Sequence, residues 1–318
     1  MLIHEFWAST HDSAGEPRAD ERCVGLVLGG GGGKGGAHLG ALAVIEQVGL
    51  PVDLIAGASI GGVVGALYAA GYSVDEIGAA FGGATPWKLF ERDPLGMGLL
   101  GARRIRAILE DMLGACTFEQ LAIRCAVVAT DLVTGDAIVL DSGPIVEALL
   151  ATMAFPGIFP PVQSEGMLLA DGGIVNNLPV DVARALGAHR VVAVDLGYVC
   201  DDFTPAAGGG GALGWLNPLP SLPLTLANRG LAVMMARLTR YQLAESAPDL
   251  LLCPKVEQIS TLDLSRINDE ASRAAGEQVA RDALADLLAL REWRSVDRPS
   301  ELPARRVAQQ AQNLLALG

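Results

Sequence analysis

Two glycine-rich turns, each set between a short apolar stretch and a helix-like stretch, constrain this chain more than any other feature. The first is GLVLGGGGGKGGAHLG, where an apolar segment at Val24–Leu28 runs into Gly29–Gly36. The second is LIAGASIGGVVGAL, where Val52–Ala58 runs through Gly57-Ala58-Ser59-Ile60-Gly61 into a second apolar helix. A strand, a tight turn and a helix, repeated, build parallel sheets covered by helices. The chain holds 39 glycines in 318 residues, against about 22 at the usual share. Eighteen of them fall in Gly29–Gly40, Gly57–Gly65, Gly172–Gly173 and Gly208–Gly211. Clustering of this kind excludes collagen, and 51% hydrophobic residues exclude a disordered chain.

The net charge is -13, from 23 Lys+Arg and 36 Asp+Glu. A groove that tracks phosphates needs a basic stripe, so nucleic acid is not an expected partner. The five cysteines, Cys23, Cys116, Cys125, Cys200 and Cys253, are odd in number and widely spaced. They suggest neither disulfides nor a zinc site, and are expected as small buried hydrophobes in a reducing compartment. Residues 1–20 are polar and acidic, unlike a signal peptide, and read as a tail. A cytoplasmic location follows as an expectation. Leu54–Tyr72 lacks charge and imitates a membrane span. A buried strand entering a buried helix is the reading favoured, because buried parallel strands are continuously apolar, and no transmembrane helix is expected.

The remaining pattern alternates in the same way. Helices are expected at Ala37–Gln47, Ile60–Ala70, Arg103–Leu113, Pro144–Met153, Pro179–Leu186, Thr225–Ala247 and Asp269–Trp293. Strands are expected at Arg124–Thr130, Asp136–Leu140, Met167–Ala170, Arg190–Asp195 and Leu250–Cys253. The strands at 124 and 136 form a hairpin turning at Thr134-Gly135. Ser73 with Glu76, and Thr117 with Gln120, have capping-box spacing. The organisation expected is the tail, then one α/β domain over 21–318. That domain holds its motifs in 24–195, a Gly/Pro-rich apolar loop at 201–224, and helices with a late strand over 225–318.

Gly30-x-Gly32-x-x-Gly35 fits the dinucleotide fingerprint, but Asp53 starts the second strand where an acidic residue should end it. A P-loop fails because Leu28 replaces its first glycine and Gly35 follows Lys34. What remains is a row of backbone N–H groups at a helix start, able to bind a phosphate or a transient oxyanion. Lys34 adds positive charge. Gly57-Ala58-Ser59-Ile60-Gly61 in a strand–turn–helix setting is a nucleophile elbow, with small neighbours that let Ser59 turn outward. A base for Ser59 has two kinds of candidate. His4, His11, His38 and His189 do not stand in an obvious catalytic loop, and His38 suits packing or loop bracing. Asp171 follows an apolar strand and precedes Gly172-Gly173, which places a carboxylate at a strand end. Asp131, Asp141 and Asp195 read as structural or capping.

The three motifs together resemble the patatin-like phospholipase family, especially its small bacterial members. Gly30-Gly31-Gly32-Gly33-Lys34-Gly35, the GxSxG at Gly57–Gly61 and Asp171-Gly172-Gly173 stand in the family's order. Their flanks AHLGAL, ATMAFPGIFPPV and DGGIVNNLPVDVARALGAHRVVAVD are similar too. The resemblance covers about Val24 to Asp195, and Lys34 stands where bacterial members often carry arginine. It implies a three-layer α/β/α sandwich around a mostly parallel sheet, like the catalytic domain of cytosolic phospholipase A. It also implies a Ser59–Asp171 dyad, an oxyanion hole from the glycine loop, and support from Gly57, Gly61, Gly172 and Gly173. The activity implied is serine lipid acyl hydrolysis through an acyl-serine, with no cofactor or metal. An acyltransferase using the same dyad and a non-catalytic lipid-binding protein are the alternatives. The partners implied are a lipid or lysophospholipid ester and, transiently, a membrane surface. The 208–224 stretch, with Trp215, Leu216, Leu219, Leu222 and Leu224, suits either an acyl-chain lid or a packed linker.

Overall fold

The computed structural model describes residues 22–81, 93, 95–197, 221–256, 259 and 267–295. Its strands are β1 (Val24–Leu28), β2 (Leu54–Ala58), β3 (Arg124–Asp131), β4 (Ala137–Leu140), β5 (Val162–Ser164), β6 (Met167–Asp171), β7 (Arg190–Val194) and β8 (Leu250–Leu252). Its helices are α1 (Gly36–Val48), α2 (Ile60–Ala69), α3 (Val74–Phe81), α4 (Arg103–Leu113), α5 (Ile145–Thr152), α6 (Val180–Ala185), α7 (Ser221–Glu245), α8 (Glu270–Asp282) and α9 (Leu284–Ser295). The sheet order is β5-β6-β3-β2-β1-β7-β8, with β4 also on β3. Strands β3, β2, β1, β7 and β8 run parallel to their neighbours in that order, whereas β6 and β4 run antiparallel to β3.

Alternation along the strands divides the core in two. Leu26, Leu28, Ile55, Val127 and Val194 face a large cluster containing Leu39, Leu42, Val63, Leu67, Leu109, Leu149 and Ala280 from the helices. Val27, Leu54, Ala56, Val128 and Val191 face a smaller one with Val182 and Ala183 of α6 and Leu186 just after it. This is the three-layer α/β/α arrangement expected. Leu54–Tyr72 resolves into β2, a turn and the ten-residue α2. Among the described residues no helix is long and apolar enough to cross a membrane.

Several local expectations need correction. Asp269–Trp293 is two helices, α8 and α9, meeting at Ala283, whose ψ of 16° leaves the helical range without any Gly or Pro signal. Strand β5 was not foreseen. It pairs Ser164 with Met167 across Glu165-Gly166, both at positive φ (49° and 84°), a tight hairpin turn with a weak sequence signal. Helix α7 begins at Ser221, inside the stretch expected as loop. Pro223 is compatible because the first turn has no intrahelical use for its N–H. Residues 201–220, and so most of the lid expectation, lie outside the described residues, as does the tail. Of Cys23, Cys116, Cys125 and Cys253, none of them disulfide-bonded, only Cys125 is buried and Cys253 is exposed. Gly40 is a packing glycine rather than part of a site: a Cβ there would stand 2.0 Å from Arg273 O of α8.

Candidate active site

Ser59 sits between β2 and α2 at φ 52° and ψ −129°. A non-glycine residue there stores about 1–3 kcal/mol of strain. The surroundings hold it in place. Its N–H donates to Thr152 Oγ1 at 2.9 Å, and Thr152 Oγ1 donates onward to Val128 O of β3. Its carbonyl accepts from Val63 N–H at 3.1 Å. The turn closes only without side chains: a Cβ on Gly61 would lie 2.1 Å from Leu28 O. The helix behind the serine therefore packs against the start of the glycine loop.

Asp171 ends β6. Strand β3 brings it to the serine, pairing Val128 with Ala58 and the next residue, Ala129, with Asp171. Ser59 Oγ donates to Asp171 Oδ2 at 2.7 Å. Gly173 N–H donates to Oδ1 at 2.8 Å. The backbone of Asp171 is pinned on both sides, by its N–H to Ala154 O at 2.9 Å and by Thr130 Oγ1 to its O at 2.8 Å. The residue is 2% exposed. Burial raises its pKa to about 6, against the opposing pull of the bonds from Ser59 and Gly173. A carboxylate so placed is a stronger base than one in water, and it already holds the serine hydroxyl.

The glycine loop leaves the C-terminal end of β1 as a short 3-10 turn, Gly32–Gly35, that leads into α1. Gly29 N–H donates to Val194 O and Gly30 N–H to Asn177 O, both at 3.0 Å, and Lys34 N–H donates to Gly31 O at 3.2 Å. The N–H groups of Gly31, Gly32 and Gly33 have no acceptor among the described residues. They are the orphan donors of a helix start, at its positive end. Gly30 adjoins the serine, since a Cβ there would lie 3.2 Å from Ser59 Cβ. Lys34 is buried, with Nζ donating to Leu196 O at 3.1 Å beyond β7. Its charge also pulls down Asp195, whose pKa burial raises overall. His38 is buried, and Nε2–H donates to Gly29 O at 2.7 Å. Desolvation lowers its pKa to about 4, so it is a neutral brace for the loop.

The other candidates lie elsewhere. His189 Nδ1 accepts from Cys23 N–H at 3.2 Å, at the opposite ends of β1 and β7 from Ser59. Asp53 pairs with Arg294 through bonds of 2.9 and 2.7 Å, at the start of β2, away from the glycine loop. Asp131 accepts from Val133 and Leu168 N–H groups and from Thr134 Oγ1, which is a structural role. Among the described residues no cluster of three His, Cys, Asp or Glu side chains could hold a metal ion. Two residues that touch the site were not foreseen. Thr152 is the only hydroxyl of α5, whose other residues are apolar except Glu147. Asn177 belongs to the polar pair Asn176-Asn177 between Val175 and Leu178.

Comparison with known proteins places the chain in a family. The chain is 33% identical to a patatin-like phospholipase domain-containing protein of Caenorhabditis elegans, over 77% of this chain and 19% of that one. It is 33% identical to lysophospholipase NTE1 of Debaryomyces hansenii, over 77% of this chain and 17% of that one. An uncharacterized NTE family protein of Mycobacterium bovis shares 32% identity, over 83% and 46%. The chain thus spans less than half the length of these curated relatives. The crystal structure of VipD from Legionella pneumophila superposes with a TM-score of 0.55 at 15% identity, covering 93% of this chain and 75% of VipD, a likeness of fold. The model of the patatin-like phospholipase family matches residues 26–184, which contain the glycine loop, Ser59 and Asp171. The chain belongs to the patatin-like phospholipase family.

Proposed function

We propose that this chain is a serine lipid acyl hydrolase of phospholipase A, lysophospholipase or esterase type, working through a Ser59–Asp171 dyad. The observation that carries it is the 2.7 Å bond from Ser59 Oγ to a buried carboxylate of raised pKa. Ser59 Oγ attacks the ester carbonyl carbon while its proton passes to Asp171 Oδ2. The free N–H groups of Gly31, Gly32 and Gly33 receive the oxyanion, each such donor lowering the barrier by about 3 kcal/mol. Asp171 returns the proton to the leaving alcohol, and the acyl-serine remains. Water then attacks that ester, giving its proton to Asp171, and the fatty acid leaves as Ser59 is restored. Hydrolysis of phospholipid and lysophospholipid by wild type, with Ser59→Ala and Asp171→Asn each down about a thousandfold or more, is the expected result. Product ester in place of free acid when alcohols are added indicates the acyltransferase. No turnover by wild type indicates a lipid-binding protein.

Contact with a lipid surface belongs to the same reading, and α7 supports it. Met235 and Gln242 face the Asp171 turn: Met235 Cε would stand 2.8 Å from a Cβ on Gly173, and Gln242 Nε2 donates to Val175 O at 2.8 Å. Leu226, Val233, Met234, Leu238 and Tyr241 are exposed, Met234 by 69% and Tyr241 by 70%. Exposed Arg237 and Arg240 flank them, and the helix has no acidic residue before Glu245 in a chain of net charge -13. An apolar stripe edged by arginines suits an anionic bilayer. Replacing both Met234 and Tyr241 by Glu is expected to cut hydrolysis of anionic vesicles about tenfold and leave a soluble ester unaffected. Equal loss on both substrates would contradict it.

A further inference from the structure

Asn177 has no part in the dyad mechanism, although it adjoins both the oxyanion loop and the turn that carries Asp171. Its side chain is 4% exposed. It lies among three glycines from three separate segments. A Cβ on Gly30 of the oxyanion loop would stand 2.5 Å from Asn177 Oδ1. One on Gly173, beside the base, would stand 2.6 Å from the same atom, and one on Gly197, beyond β7, 2.9 Å from Nδ2. The missing side chains of Gly30, Gly173 and Gly197 leave the space that this amide fills.

Its bonds run to one glycine. Asn177 O accepts from Gly30 N–H at 3.0 Å, and Asn177 Nδ2 reaches Gly30 O at 3.4 Å. Gly30 O and Gly31 N–H belong to one trans peptide plane and point in opposite directions. Holding Gly30 O toward Asn177 therefore aims Gly31 N–H away from it, and that N–H is free of any acceptor among the described residues. The preceding plane is fixed in the same manner, with Gly29 O held by His38 and Gly30 N–H by Asn177 O. Glycine peptides turn over easily, and a flipped Gly30–Gly31 plane would present a carbonyl to the oxyanion instead of a donor. Asn177 Oδ1, meanwhile, is buried without a donor among the described residues. A buried amide that leaves one acceptor unpaired is destabilising, as expected of a residue retained for its other end.

We propose that Asn177 is the positioning residue of the oxyanion hole, holding the Gly30–Gly31 peptide with its N–H toward the ester. The inference rests on the hydrolase reading above. Asn177→Ala and Asn177→Asp, which remove the donor with and without loss of volume, test it alongside wild type on a soluble ester. Expected is a fall in kcat of about ten- to a hundredfold in both, less than the loss of a whole donor, with KM within about threefold and the melting temperature close to wild type. A kcat within about threefold of wild type in either folded variant overturns the inference and leaves the hydrolase reading intact. A loss that appears in KM alone, or that matches the unfolded fraction in thermal melts, also overturns it. If Asn177→Ala does not fold, Asn177→Asp alone decides by the same criteria. An inactive wild type overturns the hydrolase reading and this inference together.

Discussion

Asp171 meets two opposed requirements in one side chain. Catalysis needs it ionised beside Ser59, and the fold prefers it protonated, because burial raises its pKa to about 6 from an unfolded value near 4. The sign follows from proton counts. Between about pH 4 and 6 the native state keeps a proton that the unfolded chain has released, so stability contributed by this group is present in acid and lost as pH rises. Above pH 6 the loss amounts to about 3 kcal/mol. Asp171→Asn is therefore expected to be inactive and, at pH 8, more stable than wild type by up to that amount, with the gap closing toward pH 4. Urea melts of both proteins at several pH values check it, and a gap independent of pH would contradict it. His38 acts in the opposite sense. Its pKa falls from 6.5 to about 4, so its stabilising contribution is lost as pH drops through that window. Ser59, Asp171 and the bracing role of His38 were legible in sequence because motif and chemistry coincide there. Thr152 and Asn177 were not, since each acts through a backbone atom of a residue distant in sequence.

At the scale of elements, the glycine loop depends on a helix far along the chain. Ser272 Oγ of α8 donates to Lys34 O at 3.1 Å, and a Cβ on Gly36 would stand 2.8 Å from Ile267 O. Helices α1 and α8 meet backbone to backbone. A Cβ on Gly276 would lie 2.0 Å from Ala37 O, and one on Gly40 the same distance from Arg273 O. Backbone cannot yield as a side-chain end does, so Gly276→Ala is expected to destabilise by about 1–3 kcal/mol and to lower kcat by displacing the loop. A denaturant midpoint unchanged from wild type would contradict this. Strand–turn–helix order, the two capping boxes and the hairpin at Gly135 could be read locally, because turn chemistry is written in adjacent residues. Bonds run both ways between Ser73 and Glu76, and Thr117 N–H donates to Gln120 Oε1 at 2.9 Å. The break at Ala283 and the packing of Gly40 on Arg273 and of Gly276 on Ala37 could not, because they depend on what lies against them. The glycine excess thus marks helix contact as well as active site.

On the scale of the whole molecule, the parallel strands collect the reactive groups at one end. Gly29 and Ser59 follow β1 and β2, whereas His189 and Asp53 lie at the starts of β7 and β2. That polarity separates His189 and Asp53 from Ser59, while His38 braces the glycine loop and His4 and His11 lie outside the described residues. The net charge of -13 does not describe the surface evenly, since α7 carries its arginines beside exposed apolar groups. Any lipid contact is expected there, over the same turn that holds the base. The proposed hydrolase requires that the Asp171 carboxylate activate Ser59. The pH dependence of covalent labelling by a fluorophosphonate, with the modified peptide identified by mass spectrometry, tests it most directly. Labelling is expected at Ser59, with a rate that rises through about pH 6, persists in His189→Ala and disappears in Asp171→Asn. Labelling at another residue, or labelling of Ser59 that survives in Asp171→Asn and is lost in His189→Ala, would contradict it.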